Sequence, residues 1–127
     1  MPFKRLSWNS YFMKIAEMIS ERGTCTKRKV GAVLVKDNRI IGSGYNGSPK
    51  GMEHCIDVGC LVVDEHCIRC LHAEQNALLF AQGDTEGSIL YCTCLPCSTC
   101  IKMLIQKGIK RVIYLIDRRK DDIQYWL

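Results

Sequence analysis

The stretch VGAVLVKDNRIIGSGYN, residues 30–46, indicates how the chain folds. The apolar run at 30–35 is typical of a buried strand, and KDNR at 36–39 has the composition of a turn. A second strand follows at 40–46, so the stretch predicts a β-hairpin. Further strands are predicted at 88–94 and 111–117.

Helices are predicted at 7–21, 73–82 and 97–108 from apolar residues at helical spacing. The first is expected to begin after an N-cap at Ser7 and to bury one face, formed by Trp8, Tyr11, Phe12, Ile15, Met18 and Ile19. Residues 47–71 lack a sustained period and are predicted to form a long ordered loop, and the tail a short helix. Strands alternate with helices after the hairpin, which predicts one α/β domain over 1–127 with parallel pairing in its second half.

Composition narrows the class of protein. The 127 residues are 47% hydrophobic, enough for a core, and no apolar run reaches membrane-spanning length. The N-terminus lacks a signal-peptide pattern, so we expect a cytoplasmic protein. Nine cysteines, an odd number without an export signal, favour metal binding over disulfides. The net charge of +5 is scattered, which indicates a solvated surface or attraction to phosphates.

Two short motifs together predict a catalytic zinc site. In PCSTC, Cys97 and Cys100 are three apart at a helix start, where thiolates are favoured and one helical face holds both. In HAE, His72 and Glu74 do not share a face, so His72 can bind zinc while Glu74 reaches a water beside it. This combination is the signature of zinc nucleobase deaminases.

The same motifs, with VGAVLV, GYNGSPKG (44–51) and GIKRVIY, resemble the deoxycytidylate (dCMP) deaminases of the cytidine deaminase superfamily, bacterial and phage members in particular. The resemblance implies a three-layer α/β/α sandwich with a mixed central sheet of four to five strands. It implies that His72, Cys97 and Cys100 bind zinc and that Glu74 moves protons as dCMP becomes dUMP and ammonia. The backbone of Ala73 and the carbonyl at Leu95 would contact the base, and Asn46 the sugar.

The resemblance also implies regulation and assembly. In the family, GYNGxPxG shapes an allosteric nucleotide site, which Gly44, Asn46, Gly47 and Gly51 match. There dCTP with magnesium activates and dTTP inhibits, although a Gly-Pro loop without a ligand is the alternative. The resemblance also implies a homo-oligomer, with a hexamer as the expected form, that works in pyrimidine deoxynucleotide supply. Neither membranes nor nucleic acid are expected as partners.

The other cysteines suggest a second, structural zinc, as some phage relatives carry. The spacing of Cys67 and Cys70 suits a metal, and the positions of Cys25, Cys55 and Cys70 resemble those of ligands in these relatives. We therefore predict the set Cys25, Cys55, Cys67 and Cys70, with Cys60, His54 or His66 as substitutes. Reduced buried cysteines are the alternative.

Cys92 and Cys94 share one strand face, at positions where relatives usually carry other side chains. We interpret Cys92 as a core residue and Cys94 as a core residue or part of the pocket wall. The chain ends soon after residue 117, which leaves the fifth strand in doubt.

Other functions remain open at this point. One is deamination of a base in RNA, such as a tRNA adenosine, and a variant is deamination of a free nucleoside or guanine. Another is a zinc-stabilised binding module without activity. The basic residues Arg28, Lys29, Arg118 and Arg119 either contact nucleotide phosphates or are solvated charges.

Overall fold

The computed structural model describes residues 4–117, and these are built around a four-stranded sheet in the order β2-β1-β5-β6. In chain order the elements are α1 (Trp8–Ser20), β1 (Gly31–Lys36), β2 (Arg39–Tyr45), α2 (Cys55–Val58), β3 (Val62–Val63), β4 (His66–Cys67), α3 (Ala73–Leu79), β5 (Ile89–Cys94), α4 (Ser98–Gln106) and β6 (Arg111–Ile116). β1 pairs antiparallel with β2 and β5, and β5 pairs parallel with β6. The predicted mixed sheet is confirmed with four strands; the tail helix, the fifth strand, Arg118 and Arg119 lie outside the described residues.

Helices cover both faces of the sheet, because alternate residues of β1 point to opposite sides. Val33 and Val35 pack with Phe12 of α1. Ala32 and Leu34 pack with α3 and α4, in a second cluster that includes Cys92. The predicted three-layer α/β/α sandwich is therefore confirmed.

The hairpin that opens the sheet turns at Asp37 and Asn38. Both have positive φ, 51° and 60°, as a two-residue turn that matches strand twist requires. Short polar side chains tolerate this backbone, so KDNR predicts the turn correctly.

Helix α1 is correctly predicted, and its buried face is correct in part, since Phe12 is buried and Ile15 and Ile19 pack against the same cluster. The Ser7 hydroxyl accepts the N–H of Ser10 at 3.2 Å, as a cap should. The residues that α1 buries are Phe12, Met13 and Ala16, whereas Trp8 and Met18 are 51% and 72% exposed. The reason is the approach of Ala16 to Gly31, where a Cβ would lie 2.0 Å from the Ala16 carbonyl oxygen. This small-residue contact sets the rotation of the helix.

The loop prediction for residues 47–71 is too simple. The segment contains the single-turn helix α2 and the two-residue strands β3 and β4, which pair with each other. Helix α3 ends at Leu79, three residues before the predicted end, because the N–H of Gln82 bonds to the carbonyl of Ile41 and returns the chain to β2. None of the described helices is long and apolar enough to cross a bilayer.

Candidate active site

His72 is the N-cap residue of α3. Its backbone N–H donates to Oε1 of Gln75 at 2.8 Å, which fixes the first turn. Asn76 Nδ2 donates to the carbonyl of Tyr45 at 2.9 Å and ties the helix to the end of β2. Sequence reasoning missed both anchors, although a Gln three residues after a cap is a recognised signal.

The structure brings the three predicted zinc ligands together. Cys97 is the N-cap of α4 and Cys100 lies one turn later. His72 Nδ1 lies 3.2 Å from Cys100 Sγ and 3.7 Å from Cys97 Sγ. A tetrahedral zinc ion with bonds of about 2.0 Å to nitrogen and 2.3 Å to sulfur separates its donors by roughly 3.5 Å. The donor set and its spacing therefore fit zinc, with one coordination position left for a small molecule.

The charges of this cluster suit a cation. Hydrogen bonding to Cys100, helped by His72, lowers the pKa of Cys97 to about 4, although burial opposes the shift. Contact with Cys97 and burial raise the pKa of the Cys100 thiol. The bond to Cys97 also raises the pKa of His72. One thiolate is thus present at neutral pH before any metal binds.

Glu74 lies buried beside the cluster, 5% exposed. Its Oε1 is 3.9 Å from His72 Nδ1 and 3.8 Å from Cys100 Sγ. Burial raises the pKa of Glu74, and the bond from Cys92 opposes the shift. Cys92 is fully buried, as predicted for a core residue, but its thiol also donates to Glu74 Oε2 at 3.1 Å, a contact that sequence reasoning missed.

A cavity of about 460 Å³ opens in front of Glu74. The predicted substrate-binding residues Asn46, Ala73 and Leu95 all line it, and so does Cys94. The Asn46 side chain is also a backbone anchor, since Oδ1 accepts the N–H of Val30 at 2.9 Å and Nδ2 donates to the carbonyl of Arg28 at 2.6 Å.

Cationic groups stand at the rim of the same cavity. Lys27 and Arg28 line it, and Lys27 Nζ donates to the carbonyl of Glu65. Arg28 Nη1 lies 3.9 Å from Cys94 Sγ. Lys29 does not line this cavity but a neighbouring depression, to which Arg28 and Cys94 also contribute. Of the two basic residues predicted before β1, Arg28 therefore faces the site.

The predicted allosteric residues lie in different surroundings. Gly44 packs against α3, where a Cβ would lie 2.5 Å from the Ala73 carbonyl oxygen. Gly47 forms an antiparallel β-bridge with Leu71, and the Asn46 side chain makes the two backbone hydrogen bonds given above. Gly51 has φ +83° and nothing within 4 Å of a Cβ position. Gly51 is thus the member of the motif that faces open space.

A second group of potential metal ligands combines one cysteine from the segment between α1 and β1 with three from the segment between β2 and α3. The sulfurs of Cys25, Cys55, Cys67 and Cys70 all lie within 4.8 Å of one another. Cys55 Sγ is 3.5 Å from both Cys67 Sγ and Cys70 Sγ, close to the separation in a tetrahedral thiolate site.

The three predicted substitutes have other contacts. Cys60 Sγ lies 3.7 Å from Cys25 Sγ and contacts Thr26. His54 Nδ1 contacts the Thr24 hydroxyl at 3.0 Å, and His66 lines the large cavity. In the described part of the chain, the four-cysteine group and the His72 cluster are the two groups with metal-ligand spacing.

Comparison with known proteins agrees with this geometry. Residues 6–116 match the family model of the cytidine and deoxycytidylate deaminase zinc-binding region. The chain is 47% identical over 117 residues to ComE operon protein 2 of Bacillus subtilis, covering 90% of this chain and 62% of that protein. It is 43% identical over 129 residues to the deoxycytidylate deaminase of Saccharomyces cerevisiae, covering 95% and 41%. The chain thus spans less than two thirds of the length of these relatives.

Among solved structures, the crystal structure of dCMP deaminase from the cyanophage S-TIM5 in complex with dCMP and dUMP is similar over nearly the whole fold. The TM-score is 0.82 and the identity 34%, with 98% of this chain and 95% of that chain covered.

Proposed function

Since the chain belongs to the cytidine and deoxycytidylate deaminase family, we propose that it hydrolyses dCMP to dUMP and ammonia. The observation that carries the proposal is the buried Glu74 carboxylate beside the His72, Cys97 and Cys100 cluster, at the base of a cavity with a cationic rim. The similar cyanophage protein, crystallised with dCMP and dUMP, supports the choice of nucleotide.

The residues of the site divide the work of hydrolysis. When bound, zinc supplies a nucleophile at neutral pH by lowering the pKa of a water molecule. Glu74 would carry two protons in turn: one from the attacking water to N3 as the oxygen bonds to C4, and then one from the new C4 hydroxyl to the amine as the C4–N bond breaks and ammonia leaves. The Ala73 backbone and the Leu95 carbonyl orient the base, and the walls of the cavity limit the access of bulk water.

Arg28 is proposed to select the 5′-phosphate. Its guanidinium lies at the cavity rim and can make paired hydrogen bonds to phosphate oxygens. Arg28→Gln should raise KM for dCMP about tenfold and leave turnover of deoxycytidine, which has no phosphate, unchanged. Lys29→Gln is the matched control, because Lys29 is the neighbouring cation and does not line the cavity. If both substitutions raise KM for dCMP equally, Arg28 has no specific role in recognising the phosphate.

The substrate is tested by measuring ammonia release from dCMP, CMP, dCTP, deoxycytidine, guanine and an adenosine-containing tRNA loop. We expect turnover of dCMP above all others. Glu74→Gln should abolish turnover and keep zinc, whereas Glu17→Gln, on the exposed side of α1, should change neither. Turnover of the RNA would move the chain to the RNA-editing deaminases, and zinc binding with no turnover would indicate a binding module.

Regulation and assembly are part of the same proposal. Activation by dCTP with magnesium and inhibition by dTTP would use the loop at 47–51, where Gly51 leaves open space for a nucleotide. Both effects are measured as changes in the dCMP saturation curve, and light scattering with each nucleotide tests for the homo-oligomer, expected as a hexamer. The product dUMP would supply dTMP synthesis in the cytoplasm, where nine free thiols would stay reduced.

The four-cysteine group is proposed to hold a second, structural zinc. Its four sulfurs leave no open position, as in closed zinc sites. Metal analysis of the purified chain should find two zinc ions per chain. A wild-type chain with only one zinc ion, and the same zinc content in a variant with Cys55 replaced, would contradict this assignment.

A further inference from the structure

Cys92 makes a contact that the hydrolysis described above does not use. It lies on β5, fully buried, and its Sγ is 3.1 Å from Oε2 of Glu74. The neighbours of Cys92 in this cluster are apolar, among them Ala77, Leu90 and Leu104. A carboxylate oxygen placed against such a surface needs a donor to offset its lost hydration. The thiol of Cys92 occupies the position of that donor.

The contact makes the two oxygens of Glu74 different. Oε1 faces the metal cluster, 3.8 Å from Cys100 Sγ and 3.9 Å from His72 Nδ1. Oε2 faces away from it, into the strand. A carboxylate free to rotate would exchange the two oxygens, whereas one held by a donor keeps the same oxygen aimed at the site.

A thiol is suited to this task. Burial, together with the charge of Glu74, raises the pKa of Cys92 and keeps its proton in place as a donor. Thiols are weak donors, so the bond restricts rotation of the carboxylate without competing strongly for the electron pairs that must accept protons at Oε1.

We propose that Cys92 is a positioning residue, which holds Oε2 of Glu74 through its thiol and thereby assigns proton transfer to Oε1. This inference rests on the proposed function for its kinetic consequence, but the hydrogen bond itself can be measured without turnover. Cys92 does not touch the cavity, so its effect on substrate passes through Glu74 alone.

The direct test is infrared spectroscopy of the zinc-loaded protein in the S–H stretching region. Six of the nine cysteines belong to the two metal groups, so three thiols contribute: Cys60, Cys92 and Cys94. Subtracting the spectrum of Cys92→Ala isolates the Cys92 band. We expect it below the frequency of an unbonded thiol, and at higher frequency in Glu74→Gln, where a neutral amide replaces the carboxylate. A band at the frequency of an unbonded thiol, or one that Glu74→Gln leaves in place, overturns the inference.

Kinetics provide the second readout. Cys92→Ala should lower kcat for dCMP about tenfold and change KM less than twofold, because the orientation of Glu74 matters after substrate binds. Cys92→Ser restores a donor and should recover most of the loss. Leu90→Val, two residues earlier on the same strand face, is the control for lost packing and should keep kcat.

The outcomes separate the two proposals. If the wild-type protein does not deaminate dCMP, the proposed substrate fails, and the infrared band still decides whether Cys92 holds Glu74. If dCMP is turned over and Cys92→Ala keeps full kcat, or Cys92→Ser fails to recover while folded and zinc-loaded, the positioning role is wrong.

Discussion

Replacing Gly44 with alanine tests whether this glycine serves helix packing or nucleotide binding. A Cβ at residue 44 would lie 2.5 Å from the Ala73 carbonyl oxygen and 2.6 Å from both the Ala77 nitrogen and Asn76 Cβ. Ordinary contacts begin near 3.4 Å, so β2 and α3 must separate by about 0.9 Å. Two of the three obstructing atoms are backbone. We therefore expect a cost of about 3 kcal/mol, the upper part of the usual range for overpacking.

The displacement should also reach the site, because α3 carries Glu74 and begins at His72. Thermal unfolding of the zinc-loaded protein should show a Tm roughly 10 °C below that of the wild type. Misplacement of catalytic groups by about 1 Å is expected to lower kcat about 100-fold. Zinc content, measured on the same sample, distinguishes the two causes of a lower kcat: it is unchanged if only Glu74 is displaced and reduced if the metal cluster is lost.

The control is Gly51→Ala, in the same sequence motif. Its Cβ would meet nothing within 4 Å, but φ is +83°, so the cost is a backbone strain of about 1 kcal/mol and α3 stays in place. Gly51→Ala should keep kcat without effectors. If Gly44→Ala keeps wild-type Tm and kcat but loses its response to dCTP, the packing argument is refuted and the nucleotide-binding interpretation of Gly44 is supported.

Three further predictions concern other parts of the chain. Cys55→Ser should release one zinc per chain and make residues 47–71 sensitive to protease, because the proposed second zinc would stabilise that segment; unchanged digestion would contradict this. Ser7→Ala should lower the free energy of unfolding by about 1 kcal/mol in urea denaturation, since the cap of α1 is lost; no change would mean that the cap is unimportant. The hydrogen bond from the Glu86 N–H, together with the charge of Lys36, lowers the pKa of Asp84 below its usual value of 3.8. Asp84→Asn should therefore reduce the free energy of unfolding above pH 4 and match the wild type once the pH falls below the pKa of Asp84 in the folded protein. A difference that persists in acid would refute the role of the Asp84 charge.

That the three predicted zinc ligands come together was predictable, because local chemistry defines the cluster. His72, Cys97 and Cys100 each lie at or near a helix start, and the spacing within the PCSTC motif survives any tertiary arrangement. The hairpin was predictable for the same reason, since Asp37 and Asn38 encode their own turn.

Contacts between distant segments were not predictable. The Cys92 thiol meets Glu74 across a gap of 18 residues, and no local pattern distinguishes that cysteine from an ordinary core residue. The rotation of α1 depends on the approach of Ala16 to Gly31, whereas hydrophobic periodicity favoured the larger Trp8 and Met18. Periodicity measures which residues are apolar, and it carries no information on how closely two backbones can approach.

The position of His72 and Cys97 at helix N-caps has a consequence for the engineering of new activities. The N-cap positions of His72 and Cys97 are set by where α3 and α4 begin. The cluster therefore does not depend on which side chains the loops place in front of it. Apart from the cluster itself and from Asn46, Ala73 and Leu95, most of the cavity lining comes from residues 25–30 and 65–71. Libraries that diversify those two segments, with the N-caps and the cysteines left intact, should change which base or phosphate group is accepted while zinc loading is preserved.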